Sequence, residues 1–302
     1  MFFLVLTLQR IYNNRMNWLL VSNNKNKEFE AFLKTKVKEI NFLSFDDDFT
    51  NFDDLKKVSH CVIFENPSDF EKKTCFLYGF LCGKNIPVYI ISKEKKSFDF
   101  TNTLLFEDIS LFEDYLNSNF CKIQENFSKK EAFNFLYENG IPFDTDNFAS
   151  CIASGKMDIC KYYLAAGMSV DSRDSDGTPM LNIAARNDRL DFVQWLVEQG
   201  ADINAVSEDR GYTAIMDAVW RGNIEITEYL IEKGSDLNTI NKEGQSMLVL
   251  AVGANRTQIC KLLAENGANP DIPDSMGMSA YGYAKLFKKI DIVSILEKYH
   301  KD

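Results

Sequence analysis

Glycine recurs in the second half of the chain with a period that few folds can generate. Gly140, Gly167, Gly200, Gly234 and Gly267 are separated by 27, 33, 34 and 33 residues, and each closes a helical pattern. A period near 33 marks an array in which every unit is one supersecondary element. Aligned on the later four glycines, the chain reads AAGMSVDSRD, EQGADINAVS, EKGSDLNTIN and ENGANPDIPD. A helix with one apolar face precedes each: Phe192, Val193, Leu196 and Val197 answer to Ile226, Leu230 and Ile231, and to Ile259, Cys260, Leu263 and Ala264. Upstream lies a shorter first helix with small residues at a fixed place (Ala184 and Ala185, Ala218, Ala251, Ala284), where neighbouring helices can approach closely. A turn comes before it, with Gly177, Gly211, Gly244 or Gly277 followed two residues on by Pro179, Thr213, Ser246 or Ser279. No unit of this size buries its apolar face alone, but stacked units share a continuous core.

The copy GYTAIMDAVWRGNIEITEYLIEKGSDLN resembles the ankyrin repeat, whose pattern is G-x-T-P-L-H-x-A-A-x-x-G-H-x-x-I-V-x-x-L-L-x-x-G-A-D-x-N. The resemblance covers roughly residues 128 to 302. It implies an all-α solenoid that grips another protein through a concave face of hairpin tips and first helices. The chain departs from the pattern in one respect: TPLH becomes TAIM, SMLV and SAYG, so its histidine is absent and looser turns are expected. SKKEAFNFLYENGIPFDT keeps only the second-helix part and reads as a half-repeat cap. The whole region, 126–302, is expected to hold that cap and about five repeats, the last ending in a charged, solvent-facing run.

Where the repeat leaves residue identity free, this chain carries Thr178, Arg186 and Asn187, then Tyr212, Asp217, Trp220 and Arg221, then Gln245 and Ala254, then Met278, Leu286 and Phe287. Arg186, Tyr212, Asp217, Trp220, Arg221, Gln245 and Met278 are the candidate partner-binding residues. Trp220 and Arg221 lead them, because the repeat does not demand a large ring there and Trp and Arg dominate binding hot spots. Trp195 falls on the apolar face of a second helix and is read as packing.

From Asn17 to Phe120 apolar runs alternate with amphipathic segments: NWLLVS, INFLSF, HCVIFEN, PVYIIS and TLLFED as strands, with helices between them and SLFEDYLNSNF after. This predicts an α/β domain over residues 16–125 with a parallel, flavodoxin-like sheet, so the chain is multidomain. Ligands of such sheets sit beyond the strands' carboxyl ends, here Ser22 to Asn24, Phe45 to Asp48 and Glu65 to Ser68. The run DDLKKVSHCVIFENPS followed by CFLYGFLCGKNIPVYII resembles the nucleoside 2-deoxyribosyltransferase and TIR-like superfamily. That resemblance implies a nucleotide-like ligand, and a helix glutamate attacking or stabilising a glycosidic carbon. The expected position falls on Leu77 or Tyr78, neither of which can serve; Glu71, two helical turns from Tyr78, is the one substitute. Lys25, Lys27 or a helix N-terminus would have to hold a phosphate, since no arginine lies between Arg15 and Arg173.

Bulk properties narrow the function. A net charge of -10 opposes binding to nucleic acid or to an anionic membrane, which need clustered Lys and Arg. Seven scattered cysteines without a C-x-x-C pair, and only two histidines (His60, His300), argue for reduced thiols in a cytoplasmic protein with no metal site and no cofactor. Cys75 and Cys82 are expected to pack on one helix face. The triplet Asp46, Asp47 and Asp48 reads as a solvated turn, and Lys93, Lys95 and Lys96 as an exposed loop. The apolar run Phe2–Leu8 is too short to span a bilayer, and Met16 is a candidate start that would leave residues 1–15 as an extension. The favoured reading is a non-catalytic interaction scaffold. Its alternative is a glycosyl-bond hydrolase or transferase acting on NAD or nucleotides under control of the repeats.

Overall fold

The computed structural model describes residues 17–21, 41–44, 58–64, 72–94 and 102–301, and the chain divides into two compact units, Met1–Lys130 and Glu131–Asp302. In the first, strands β1 (Asn17–Val21), β2 (Asn41–Ser44), β3 (His60–Ile63), β4 (Val88–Ile91) and β5 (Thr103–Phe106) pair in parallel in the order β2-β1-β3-β4-β5. This is the flavodoxin-like order, with its reversal between β1 and β3. A parallel sheet is covered on both faces, which is why these strands carry consecutive apolar residues instead of alternating.

On one face Leu19, Cys61, Ile63, Val88 and Ile90 form a core with Leu77, Tyr78 and Leu81 of helix α1 (Lys72–Gly83). On the other, Trp18, Val62 and Tyr89 pack with Phe112, Leu116 and Ile123 of helix α2 (Ile109–Glu138). The rings of Trp18, His60 and Tyr89 stack across three adjacent strands, Trp18 and His60 with centroids 4.7 Å apart. Burial, helped by the charge of Lys130, brings the His60 imidazole down to about 3, so it is neutral at physiological pH.

Helix α2 joins two segments that the sequence pattern kept apart. The expected helix SLFEDYLNSNF and the start of the expected cap both lie in this single 30-residue helix, since neither glycine nor proline interrupts it. The boundary expected between residues 125 and 126 falls inside it.

The second unit is a row of helix pairs: α3 (Thr145–Ala153) with α4 (Met157–Ala165), α5 (Met180–Arg186) with α6 (Leu190–Glu198), and α7 (Ala214–Arg221) with α8 (Ile224–Glu232). Then come α9 (Met247–Gly253) with α10 (Thr257–Glu265) and α11 (Ala280–Leu286) with α12 (Ile290–Leu296). First helices pack against first helices along the row. The small residues allow it, Ala184, Ala185, Ala218, Ala251 and Ala284 all being fully buried.

Two side-chain ladders hold neighbouring repeats in register, and a third set of bonds closes each hairpin. Between the helices of each pair one residue turns left-handed: Gly155, Asp188, Gly222, Asn255 and Lys288 have φ of 75, 61, 86, 57 and 53°. In three copies the cation that follows reaches back to the preceding repeat's first helix, Arg189 donating to the Ala153 carbonyl, Arg256 to Arg221 and Lys289 to Val252. Those carbonyls lie at the helix C-termini, where they have no helical partner and favour positive charge.

The second ladder explains the D-x-N of two repeats and its counterparts in the others. Asp171, Asn204 and Asn238 accept from the backbone amides of Asp202, Asp236 and Asn269 in the next repeat, at 2.8, 2.9 and 2.8 Å. The third closes the hairpins. Asp174, Asn241 and Asp274 accept from the amides of Thr178, Gln245 and Met278, and Ser207 takes the Tyr212 amide in a hairpin one residue longer. The turns expected to be loose without histidine are therefore closed by other side chains.

Candidate protein-binding surface

The candidate residues sit on first helices and hairpin turns, and they fall into two groups. Asp217 on α7 is 1% exposed, and its carboxylate accepts from Arg210 (2.8 Å), from Arg186 (3.2 Å) and from the Asn182 amide (3.3 Å). Arg186 also pairs with Asp209 on the hairpin at 3.2 Å. Burial pushes the Asp217 carboxyl up although both arginines pull it down. Partial burial also acts to raise Asp209, but hydrogen bonds from Ser207 and the Arg210 amide, together with Arg186, bring it down to about 2. Tyr212 is nearly buried, with the Arg210 guanidinium 4.4 Å from its ring centre. Asp217 and Tyr212 thus lie beneath the surface and hold Arg186 and the hairpin in place.

Trp220 is 47% exposed at the end of α7, and Arg221 beside it is exposed. Gln245 is half-buried and accepts from the Asn241 side chain, and Met278 is half-buried beside Gly282. A cleft of ≈ 700 Å³ opens between the second and third repeats, lined by Arg186 and Asp188 on one side and Arg221 and Glu225 on the other. Trp195 packs edge-on against buried Phe192.

Three residues escaped the sequence reading. Arg210 lies in the hairpin's extra residue, which has no counterpart in the other copies to flag it. Met276 and Ile290 are 75% and 79% exposed. The signal for Ile290 was available: it is apolar beside Leu286 and Phe287, in a terminal repeat whose outside should be polar.

In the α/β unit Leu77 is fully buried and the Tyr78 hydroxyl is engaged by Thr103 at 2.9 Å, so neither supplies a carboxylate. Glu71, Lys25, Lys27 and Asp46 to Asp48 lie outside the described residues, as do the loops Ser22 to Asn24 and Glu65 to Ser68. Lys93 is exposed. Among the described residues no group of three or more His, Cys, Asp or Glu is placed to hold a metal ion, and no helix is long and apolar enough to cross a membrane. None of the seven cysteines forms a disulfide; Cys61, Cys151, Cys160 and Cys260 are buried, with burial pushing their thiols up, whereas Cys75 is exposed and Cys82 packs partly buried against the core of its sheet face.

Stacked helix pairs with variable residues on first helices and hairpin tips define a repeat protein with an extended recognition surface. A family model for ankyrin repeats (3 copies) matches residues 147–241 and 215–302. An ankyrin repeat-containing protein of Treponema pallidum (strain Nichols) is 34% identical over 215 residues, 70% of this chain and 72% of the relative. That length exceeds the Glu131–Asp302 unit, so the likeness extends into the α/β unit. Ankyrin repeat and SAM domain-containing protein 6 of Rattus norvegicus is 38% identical over 93 residues, 30% of this chain and 10% of the relative. Tyrosine-protein kinase Shark of Drosophila melanogaster is 27% identical over 145 residues, 48% of this chain and 15% of the kinase. The chain belongs to the ankyrin repeat family; of the rat and fly proteins it spans only a small part.

Proposed function

We propose that this protein is an interaction scaffold that holds a protein partner on the concave face of its repeats, with Trp220 and Arg221 as the central anchors. The observation that carries this is an indole 47% exposed on a helix whose six preceding residues, Ala214 to Val219, are all buried. The ring contributes little to the core and has large area to offer a partner. Arg186, held by Asp209 and Asp217, supplies a pre-oriented guanidinium nearby, and Gln245 and Met278 extend the surface along the row. A fixed side chain loses less entropy on binding.

The α/β unit serves as a non-catalytic module in this reading, and the protein acts in the cytoplasm without a cofactor. The family it belongs to supports the binding role, and the absence of a carboxylate at Leu77 and Tyr78 supports the non-catalytic one. Affinity capture with the intact chain and with the Trp220→Ala and Arg221→Ala variants tests it. A genuine partner should bind each variant more weakly by about 2 kcal/mol, with the unfolding curve unmoved. Undiminished capture refutes the anchors. Release of free base from NAD or a deoxynucleoside, abolished by Glu71→Gln, refutes the scaffold-only role.

A further inference from the structure

The recognition face changes character along the row. Where the second and third repeats carry Asn182 and Met216, the fourth and fifth carry Val249 and Gly282; one turn further on, Arg186 and Trp220 give way to Gly253 and Leu286. Since α7, α9 and α11 lie side by side in that order, Gly253 sits between Trp220 and Leu286. It is exposed, and a Cβ added there would meet nothing within 4 Å. Two helix spacings separate the walls by about 16–20 Å, leaving a slot about one helix wide. Its walls are wet hydrophobics: Trp220 on one side, and Leu286 and Phe287, 62% and 54% exposed, on the other.

The charge around the slot is predominantly positive. Arg221 and Lys288 are exposed, and neither is held in an ion pair among the described residues; Arg256, also exposed, bonds only the Arg221 carbonyl. Three exposed cations thus face one exposed carboxylate that no ion pair holds among the described residues, Glu225 beside Arg221, and two other carboxylates are already occupied. Asp217 takes Arg186 and Arg210, and Asp274 takes the Tyr283 hydroxyl at 2.6 Å and the amides of Met276 and Met278. In a chain of net charge -10, this surface is left positive and apolar together.

We propose that the slot floored by Gly253 receives an amphipathic helix of a partner protein, its apolar stripe against Trp220, Leu286 and Phe287 and its polar side rich in Asp and Glu. The assignment rests on the protein-binding reading above and adds the partner's chemistry to it. Helix-in-groove docking supplies the apolar contact, and complementary charge selects the partner.

Synthetic helical peptides of about five turns, free of Trp, test it on the full chain. One carries a Leu/Phe stripe with Glu elsewhere, one the same stripe with Lys, and one Glu with the stripe replaced by Ser; phosphatidylserine vesicles form a fourth arm. Tryptophan emission should shift to the blue on saturation with the first peptide alone, in the parent and not in Trp220→Ala, and that peptide should bind at least about tenfold tighter than the others and weaken with salt. Gly253→Phe fills the slot and improves helix propensity, so it should lose about tenfold in affinity while folding normally; Gly253→Ala should bind as before. Failure of the first peptide to bind, equal binding of the Lys peptide, binding to vesicles alone, or indifference to Gly253→Phe overturns the proposal. If Trp220→Ala loses a natural partner and Gly253→Phe does not, only the slot assignment falls. If neither matters, the anchoring role of Trp220 falls with it.

Discussion

The two units of this chain reach stability by different routes. In the repeats the contacts that join one unit to the next each span about one repeat: Arg189 to Ala153, Asp202 to Asp171, Lys242 to Arg210. In the α/β unit the sheet depends on pairings between distant segments, β1 with β3 across some forty residues, and on two faces of close packing. A ladder tolerates variation from rung to rung, which leaves surface positions free for recognition. A doubly covered sheet has no such freedom, and its liability is what it buries.

That contrast can be broken by removing a rung that encloses a charge. The double variant Arg186→Ala with Arg210→Ala leaves Asp217 buried without its cations and should cost about 3 kcal/mol in urea unfolding of the repeats. Adding Asp217→Asn should restore much of the loss. A double variant as stable as the parent would mean that water reaches Asp217 freely.

Acid should separate the units next. His60 has a folded pKa of about 3 against 6.5 unfolded, so the stability tied to it is complete above pH 6.5 and falls as the unfolded chain takes up the proton. The expected loss is about 2 kcal/mol by pH 5, confined to the α/β unit and absent in His60→Phe. Asp209 is depressed to about 2, so its contribution is present above pH 3.8 and disappears only as pH falls toward 2. Hydrogen exchange near pH 5 should show strands β1, β3 and β4 opening while the repeats stay protected. Uniform protection would refute the difference.

Single glycines sharpen it further. Gly211 has φ +71° and a Cβ there would lie 2.8 Å from the Lys242 backbone nitrogen, so Gly211→Ala should cost about 2 kcal/mol; Gly140, at φ +66° with open space around it, should cost about half that. The smallest effect is a gain. Lys288 holds φ 53°, and Lys288→Gly should stabilise the last repeat by about 1 kcal/mol in thermal unfolding, with Asn255→Gly giving a few tenths because Asn tolerates that region.

The sequence by itself determined the period, the apolar faces and the small residues where first helices meet, because each is set by contacts within one repeat or with its immediate neighbour. It also determined the five parallel strands, since a sheet covered on both sides demands apolar runs. Only the tertiary structure decided that α2 runs unbroken, that Asp217 and Tyr212 lie beneath the surface, and that Gly253 stands between Trp220 and Leu286. Those outcomes depend on which side chains from different repeats meet, and a residue's type does not reveal whether its partner is water, an arginine two helices away, or open space.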